Sequence, residues 1–388
     1  MKFLALHGRR LLLWSLIIGL VGCIDSYLPE SISAAPGYLV VDGFINAQGI
    51  STITLTRAIA IREKTAAPQE ISAQVAIEEE GGARYLLRET SPGIYQSEAL
   101  TLAPARQYRL LLTTLAGKNY ASDFVPVRLT PAIDSVTWQG NDEGVAISVS
   151  THDDQDSTRF YRWDYEETWE IAPLLRPDIE FKNGKIQDIE KPYPILCWRN
   201  AKSTRISLAK TTQLARDVVS KHLLQSITTT TERLNRTYSI LVKQYAQTRE
   251  EYSYWEMLQK NTENLGSLYD PLPVQLTGNV HGITDEQEVV LGYIGVHSVA
   301  EKRIFITMGQ LPAKWRWNPI NGYESCVPPG ILDVKDAPHM FFGKVPYYVP
   351  VTTLYSSDGA FVVGYTYSTP DCVDCRLRGT DVKPDFWP

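Results

Sequence analysis

The chain has 388 residues, 44% apolar and 21% charged, with 25 Gly and 23 Pro. Its length exceeds one small domain, and the composition excludes a disordered, collagen-like or polytopic membrane chain. Thirty-eight basic against 44 acidic residues leave a net charge of −6, and without a Lys/Arg block an electrostatic nucleic-acid binder is excluded as well.

Lys2, Arg9 and Arg10 precede an apolar run from Leu11 to Val21. The run is too short to span a bilayer but has the length of a signal h-region behind a positive n-region. It ends in Leu20-Val21-Gly22-Cys23, a small residue and then a cysteine, which is the pattern of a bacterial lipobox. Residues 1–22 are therefore expected to be a lipoprotein signal peptide. Cys23 is the expected lipidation site, carrying palmitate-type acyl chains that anchor the mature chain stably. No second long apolar run follows, so the body is expected on a membrane rather than in it.

Residues 23–35 read as a tether, and strand signals then crowd together. Tyr38–Phe44, Ser51–Thr56, Gln74–Glu78, Arg84–Arg88, Tyr108–Thr113 and Tyr120–Val127 are separated by turns at Asn46–Gly49, Gly81-Gly82 and Gly117-Lys118. Short alternating strands with turns every 8–12 residues predict an immunoglobulin-like or transthyretin-like β-sandwich over residues 36–130. Glu78-Glu79-Glu80, at one of the turns, reads as a solvated charge run.

Pro126 to Pro131 is the expected joint, with residues 131–388 forming a second, larger β-rich domain that carries one inserted helix. Ile133–Trp138, Val145–Ser150 and Phe160–Tyr165 open it. Between them, His152-Asp153-Asp154-Gln155-Asp156 offers three carboxylates but lacks the Gly and terminal Glu of an EF-hand loop, so a solvated turn is favoured over calcium. Arg236–Tyr245 alternates as a strand and runs into Thr248-Arg249-Glu250-Glu251, a capping box, predicting a helix over about 249–264. Tyr252, Trp255, Leu258, Thr262 and Leu265 share one face of that helix and are expected to pack on the sheet. Further strands are expected at Val274–Val280, Val289–Val296, Arg303–Met308, Met340–Phe342, Tyr347–Thr352 and Phe361–Tyr367. Trp315, Trp317 and Tyr323 fall in a Pro/Gly-rich loop, where aromatic rings can stack on a sugar or seat in a partner's pocket. They are the candidate ligand or partner residues, weighed against a loop that covers the sandwich edge.

With Cys23 acylated, Cys197, Cys326, Cys372 and Cys375 remain, an even number in an exported chain. Two disulfides of open connectivity are favoured over a zinc site or a redox Cys372-Val373-Asp374-Cys375, because the other two cysteines are isolated and no thioredoxin-like pattern surrounds the pair. The C-terminal tail is expected to be clamped by one of them. No GxSxG, HExxH, Walker or dinucleotide pattern is present. His152, His222, His281, His297 and His339 are scattered without ligand spacing, so no catalytic residue, metal or cofactor is expected. His281 and His297 read as edge or satisfied core groups.

Several motifs also resemble a known family: the lipobox, Tyr38-Leu-Val-Val-Asp-Gly43, Tyr238-Ser-Ile-Leu-Val-Lys-Gln-Tyr245, Tyr252-Ser-Tyr-Trp255, Asn264-Leu-Gly266 and Pro271-Leu-Pro273. Gly278-Asn279, Gly292-Tyr293, Asp374-Cys-Arg-Leu-Arg-Gly-Thr380 and Lys383-Pro-Asp-Phe-Trp387 complete the set. Together they resemble the Bacteroidota outer-membrane lipoproteins of domain-of-unknown-function family 4249. The resemblance implies a surface-facing outer-membrane lipoprotein, often encoded beside a TonB-dependent transporter, and it supplies no catalytic residues. Asp134-Ser135-Val136 and Asp156-Ser157-Thr158 fit the short O-glycosylation pattern of that phylum. The functional expectation is a non-enzymatic accessory subunit of a TonB-dependent barrel, assisting capture or gating of a small nutrient. A structural subunit of an outer-membrane assembly or secretion complex is the alternative. A surface hydrolase would need a Ser/His pair or two carboxylates converging in a cleft.

Overall fold

The computed structural model describes residues 37–60, 63, 65–263, 276, 278–285, 287–313, 322–337, 341 and 347–388. Strands dominate, and Arg249–Glu263 is the α-helix among the described residues. The expected Met340–Phe342 strand falls almost wholly outside them, as do Cys23, the tether, Trp315 and Trp317.

The first unit is one hydrogen-bonded path of strands folded over a single core. Its order runs through Asn119–Ser122, Gln107–Thr113, Gln74–Glu79, Arg84–Ser91, Ile94–Gln96, Thr52–Arg57 and Leu39–Asn46. Alternation decides which side chains enter that core: Leu39, Val41, Ile53, Leu55, Val75, Ile77, Leu110 and Leu112 are buried, and the residues between them are more exposed. The path is not completed by residues 36–130. Val280–Gly282 pairs antiparallel with Asn119–Ser122, while Val290–Leu291 and Val296–His297 pair parallel with Leu39–Asn46. The expected boundary at residue 131 therefore does not hold for 278–298, which returns from the second unit to cap both ends of the first sheet. Parallel pairing between strands so far apart in the chain leaves no local turn signal, which is why the sequence placed them in the wrong unit.

The second unit is a sandwich. Ile133–Gly140, Gly144–His152 and Val218–Thr228 form a three-stranded sheet. Opposite lies a five-stranded sheet in the order Cys197–Lys202, Phe160–Ile171, Thr237–Ala246, Val299–Thr307, with Ser207–Lys210 also paired to Phe160–Ile171. Along Phe160–Ile171 the odd positions, Tyr161, Trp163, Tyr165, Glu167, Trp169 and Ile171, are buried between the sheets. The strands at 179–188, 197–202 and 207–210 were not expected. They are short, polar at alternate positions and held by pairing rather than by their own pattern.

The helix carries the expected cap, with Thr248 Oγ1 accepting Glu251 N–H at 3.1 Å. Its aromatic face packs as expected: Tyr252 meets Phe160 at 5.1 Å, and the Arg162 guanidinium lies 4.3 Å from the rings of both Tyr245 and Trp255. A third sheet of Gly330–Asp333, Val362–Ser368 and Val349–Tyr355 precedes the tail. Two disulfides, Cys197–Cys375 and Cys326–Cys372, tie the tail to the five-stranded sheet and to the 322–337 segment, resolving the connectivity that the sequence left open.

The acidic loop is a structural turn. Asp153 accepts the N–H groups of Gln155 and Thr158 and both the N–H and hydroxyl of Ser157. Burial opposes ionisation, but the Ser157 hydroxyl and these N–H groups prevail and hold the Asp153 carboxyl down at about 2. The Glu78–Glu80 run is likewise more than a solvated patch, since Glu78 accepts Arg84 Nε at 2.7 Å and Arg109 Nε at 2.6 Å.

Candidate functional site

Where the two sheets of the second unit approach each other beside the helix, they leave a cleft of about 170 Å³. One wall is Ser207–Lys210, in register with Phe160–Trp163 of the five-stranded sheet. The other is Val218–Thr228 of the three-stranded sheet, and Gln259 of the helix closes a side. Ser207 Oγ lies 2.9 Å from His222 Nε2 across this gap.

Local irregularity aims the histidine. Register with Gly144–His152 slips between Val149 and Thr151, and Lys221 takes a left-handed φ of 49° while its N–H is caught by Ser150 Oγ at 3.0 Å. A bulge with a non-glycine residue in that region turns the following side chain away from simple alternation. The imidazole then stacks on Trp163 at 4.8 Å and 27°. Trp163 is itself fixed, because its indole N–H donates to Gln244 Oε1 at 2.8 Å and Gln244 Nε2 donates to the Pro131 carbonyl at 2.8 Å and to Thr151 Oγ1 at 3.0 Å. Burial lowers the His222 pKa below 6.5, so the ring is neutral at pH 7 and one nitrogen is free to accept a proton. Arg205, Ile206, Leu208, Leu223, Leu224 and Ser226 complete the lining, a mixture of polar groups and an apolar wall.

The sequence named His222 only as one of five scattered histidines and did not single out Ser207. Fifteen positions separate the two on strands of different sheets, a relation that no spacing rule reports. Tyr323, one of the candidate ligand or partner aromatics, is 4% exposed. It packs with Cys326 and Cys372, with the Arg378 guanidinium 3.9 Å from its ring. The adjacent disulfide and the tail draw it into a small core of its own, so it presents no platform. His281 lies at an edge, 3.3 Å from Asp123. His297 is fully buried, stacked on Phe44 at 4.5 Å with Nε2 3.4 Å from Glu251 Oε1, yet neither ring nitrogen makes a hydrogen bond of good geometry. Its reading as a satisfied core group is corrected on that point. Among the described residues no group of three or more His, Cys, Asp or Glu is placed to hold a metal, and no helix is long and apolar enough to cross a membrane.

A family model described as "Domain of unknown function (DUF4249)" matches residues 24–303. No curated protein matches the chain. Among solved structures, the chitinase ChiA74 from Bacillus thuringiensis aligns at 10% identity and a TM-score of 0.14, over 48% of this chain and 28% of the chitinase. A Bacteroides uniformis protein described as a putative carbohydrate binding protein aligns at 9% identity and a TM-score of 0.13, over 55% of this chain and 91% of its own. Scores this low carry no argument about fold or ligand.

Proposed function

The chain belongs to the DUF4249 family, whose model spans most of its length, and from that premise we propose that it is an outer-membrane lipoprotein of Bacteroidota. In this reading Cys23 anchors it at the cell surface, where it serves as an accessory binding subunit beside a TonB-dependent barrel. The observation that carries the placement is Leu20-Val21-Gly22-Cys23 in register behind a basic n-region and an apolar h-region. Two structural disulfides support export, since such bonds persist in oxidising compartments and are rare in the cytosol. Acyl chains confine the body to two dimensions near any membrane partner, so a weak protein interface is occupied through high effective concentration. A small polar ligand would be held in the cleft beside Ser207, whose lining offers hydroxyl, imidazole and guanidinium groups.

The test has two arms. Labelled palmitate should enter the parent protein and be absent from Cys23→Ser, which should leave the membrane fraction. Affinity capture from detergent-solubilised membranes should recover an outer-membrane barrel. Membrane retention of the unlabelled Cys23→Ser protein would overturn the anchor, and capture that yields no outer-membrane protein would overturn the partnership.

A further inference from the structure

We propose that Ser207 is a nucleophile, activated by His222, that takes the acyl group of small esters in the cleft between the two sheets. The hydroxyl and the imidazole Nε2 are already at hydrogen-bond distance, 2.9 Å, and in the tautomer protonated on Nδ1 the nitrogen accepts. The imidazole is held by its stack on Trp163, and Trp163 by Gln244, so the pair is preorganised by the buried core beneath it. A neutral ring is the form a general base must have, and burial keeps it neutral. Arg205 brings positive charge to the same cavity, the complement of a developing oxyanion, and Ile206, Leu208, Leu223 and Leu224 offer an apolar wall to a short acyl chain. The left-handed Lys221 beside the histidine is the kind of backbone strain that accompanies functional sites.

In the acylation step the bond from Ser207 Oγ to the ester carbonyl carbon forms while the hydroxyl proton passes to His222 Nε2. The bond to the alcohol oxygen then breaks, and the same proton is returned to the departing alkoxide. Among the described residues no carboxylate hydrogen-bonds the other ring nitrogen. Disabling that carboxylate in a complete triad costs about 10⁴-fold, in acylation and in hydrolysis of the acyl-serine alike; with an activated ester, whose leaving group needs no proton, acylation is the faster of the two and the acyl-serine accumulates towards one per chain. The charged groups around the pair are Arg205 ahead of the serine strand and Glu263 of the helix, which accepts Ile206 N–H at 2.6 Å, whereas Lys221, next to the histidine in sequence, lines a separate cavity with Trp138 and Ser148.

The experiment uses the full chain in detergent with both disulfides intact, p-nitrophenyl acetate as probe, and intact-mass and peptide-mapping spectrometry. One acetyl group is expected on Ser207, absent in Ser207→Ala and formed roughly 10²-fold more slowly in His222→Gln. The rate should rise with pH to a plateau through a midpoint below 6.5, the ordinary value of the imidazole. Because His222→Gln also removes the ring stacked on Trp163, the wild-type pH profile is an independent reading. Acetylation confined to lysines, identical labelling of Ser207→Ala, or a rate that climbs with hydroxide without a midpoint would each overturn the proposal. None of these readings depends on the lipid anchor or on a barrel partner.

Discussion

Glu167 sits on the buried face of Phe160–Ile171 and is 2% exposed. Its carboxylate is met by Arg233 Nη1 at 3.0 Å to both oxygens and by the Tyr238 hydroxyl at 2.7 Å. Burial and then the Glu167 charge push the Tyr238 phenol well above its ordinary value, so it remains a donor at any working pH. Removing one member strands the other, and Arg233→Ala should destabilise the fold by about 3 kcal/mol in urea or guanidinium unfolding, chiefly the cost of an uncompensated buried carboxylate. Replacing Glu167 and Arg233 together by apolar residues of similar volume should cost less than the single change. Asp153 gives the pH counterpart. Its folded pKa of about 2 lies below the ordinary 3.8, so its contribution is complete above about pH 5 and fades as pH falls through 3.8 towards 2. Thermal melts should therefore show Asp153→Ala less stable than the parent by about 1 kcal/mol at about pH 7, with a smaller gap at about pH 2.5.

Among the elements, the helix depends on a side chain of the strand beneath it. Arg162 lies between Tyr245 of the sheet and Trp255 of the helix, its own strand supplying the cation that joins the two rings. A partly desolvated cation–π contact contributes about 1–2 kcal/mol. Arg162→Ala should thus loosen the helix selectively, read as faster amide exchange over 249–263 with the first sheet unaffected. The returning segment 278–298 depends on backbone instead. A Cβ on Gly278 would lie 1.5 Å from the Gly292 carbonyl oxygen, and one on Gly292 would lie 2.0 Å from the Val41 carbonyl oxygen. Between them Asn279 clasps Ile294, donating to its carbonyl at 3.0 Å and accepting its N–H at 2.8 Å. The Gly278-Asn279 and Gly292-Tyr293 motifs that carried the family resemblance therefore have a packing reason. Gly278→Ala should detach the segment and expose the Leu39–Asn46 edge, read as faster amide exchange along that strand. The ending Lys383–Trp387 has one too: Trp387 packs edge-on to Trp198 and Phe305 and donates to Glu170 at 2.9 Å, while Arg303 lies 3.6 Å from the Phe386 ring.

Over the whole molecule the two disulfides span 178 and 46 positions. In the chain-entropy model they stabilise by about 5 and about 4 kcal/mol. Cys375→Ser should consequently lower the unfolding midpoint more than Cys326→Ser, and reduction should release the tail first, read by proteolysis beyond residue 369. Much of this architecture was legible beforehand. Period-two alternation and Gly turns marked most strands of the first sheet, the Thr248–Glu251 box marked the helix start, and an even cysteine count behind a signal-like N-terminus marked two bridges. These are local signals, written in adjacent residues by pleat, cap and compartment chemistry. What joins distant residues was not legible. The return of 278–298 to the first sheet, the choice of cysteine partners, the burial of Tyr323 and the meeting of Ser207 with His222 all depend on which strands become neighbours. That choice is made by the shared cores and by long-range pairing, whose free energy exists only once the sheets have formed.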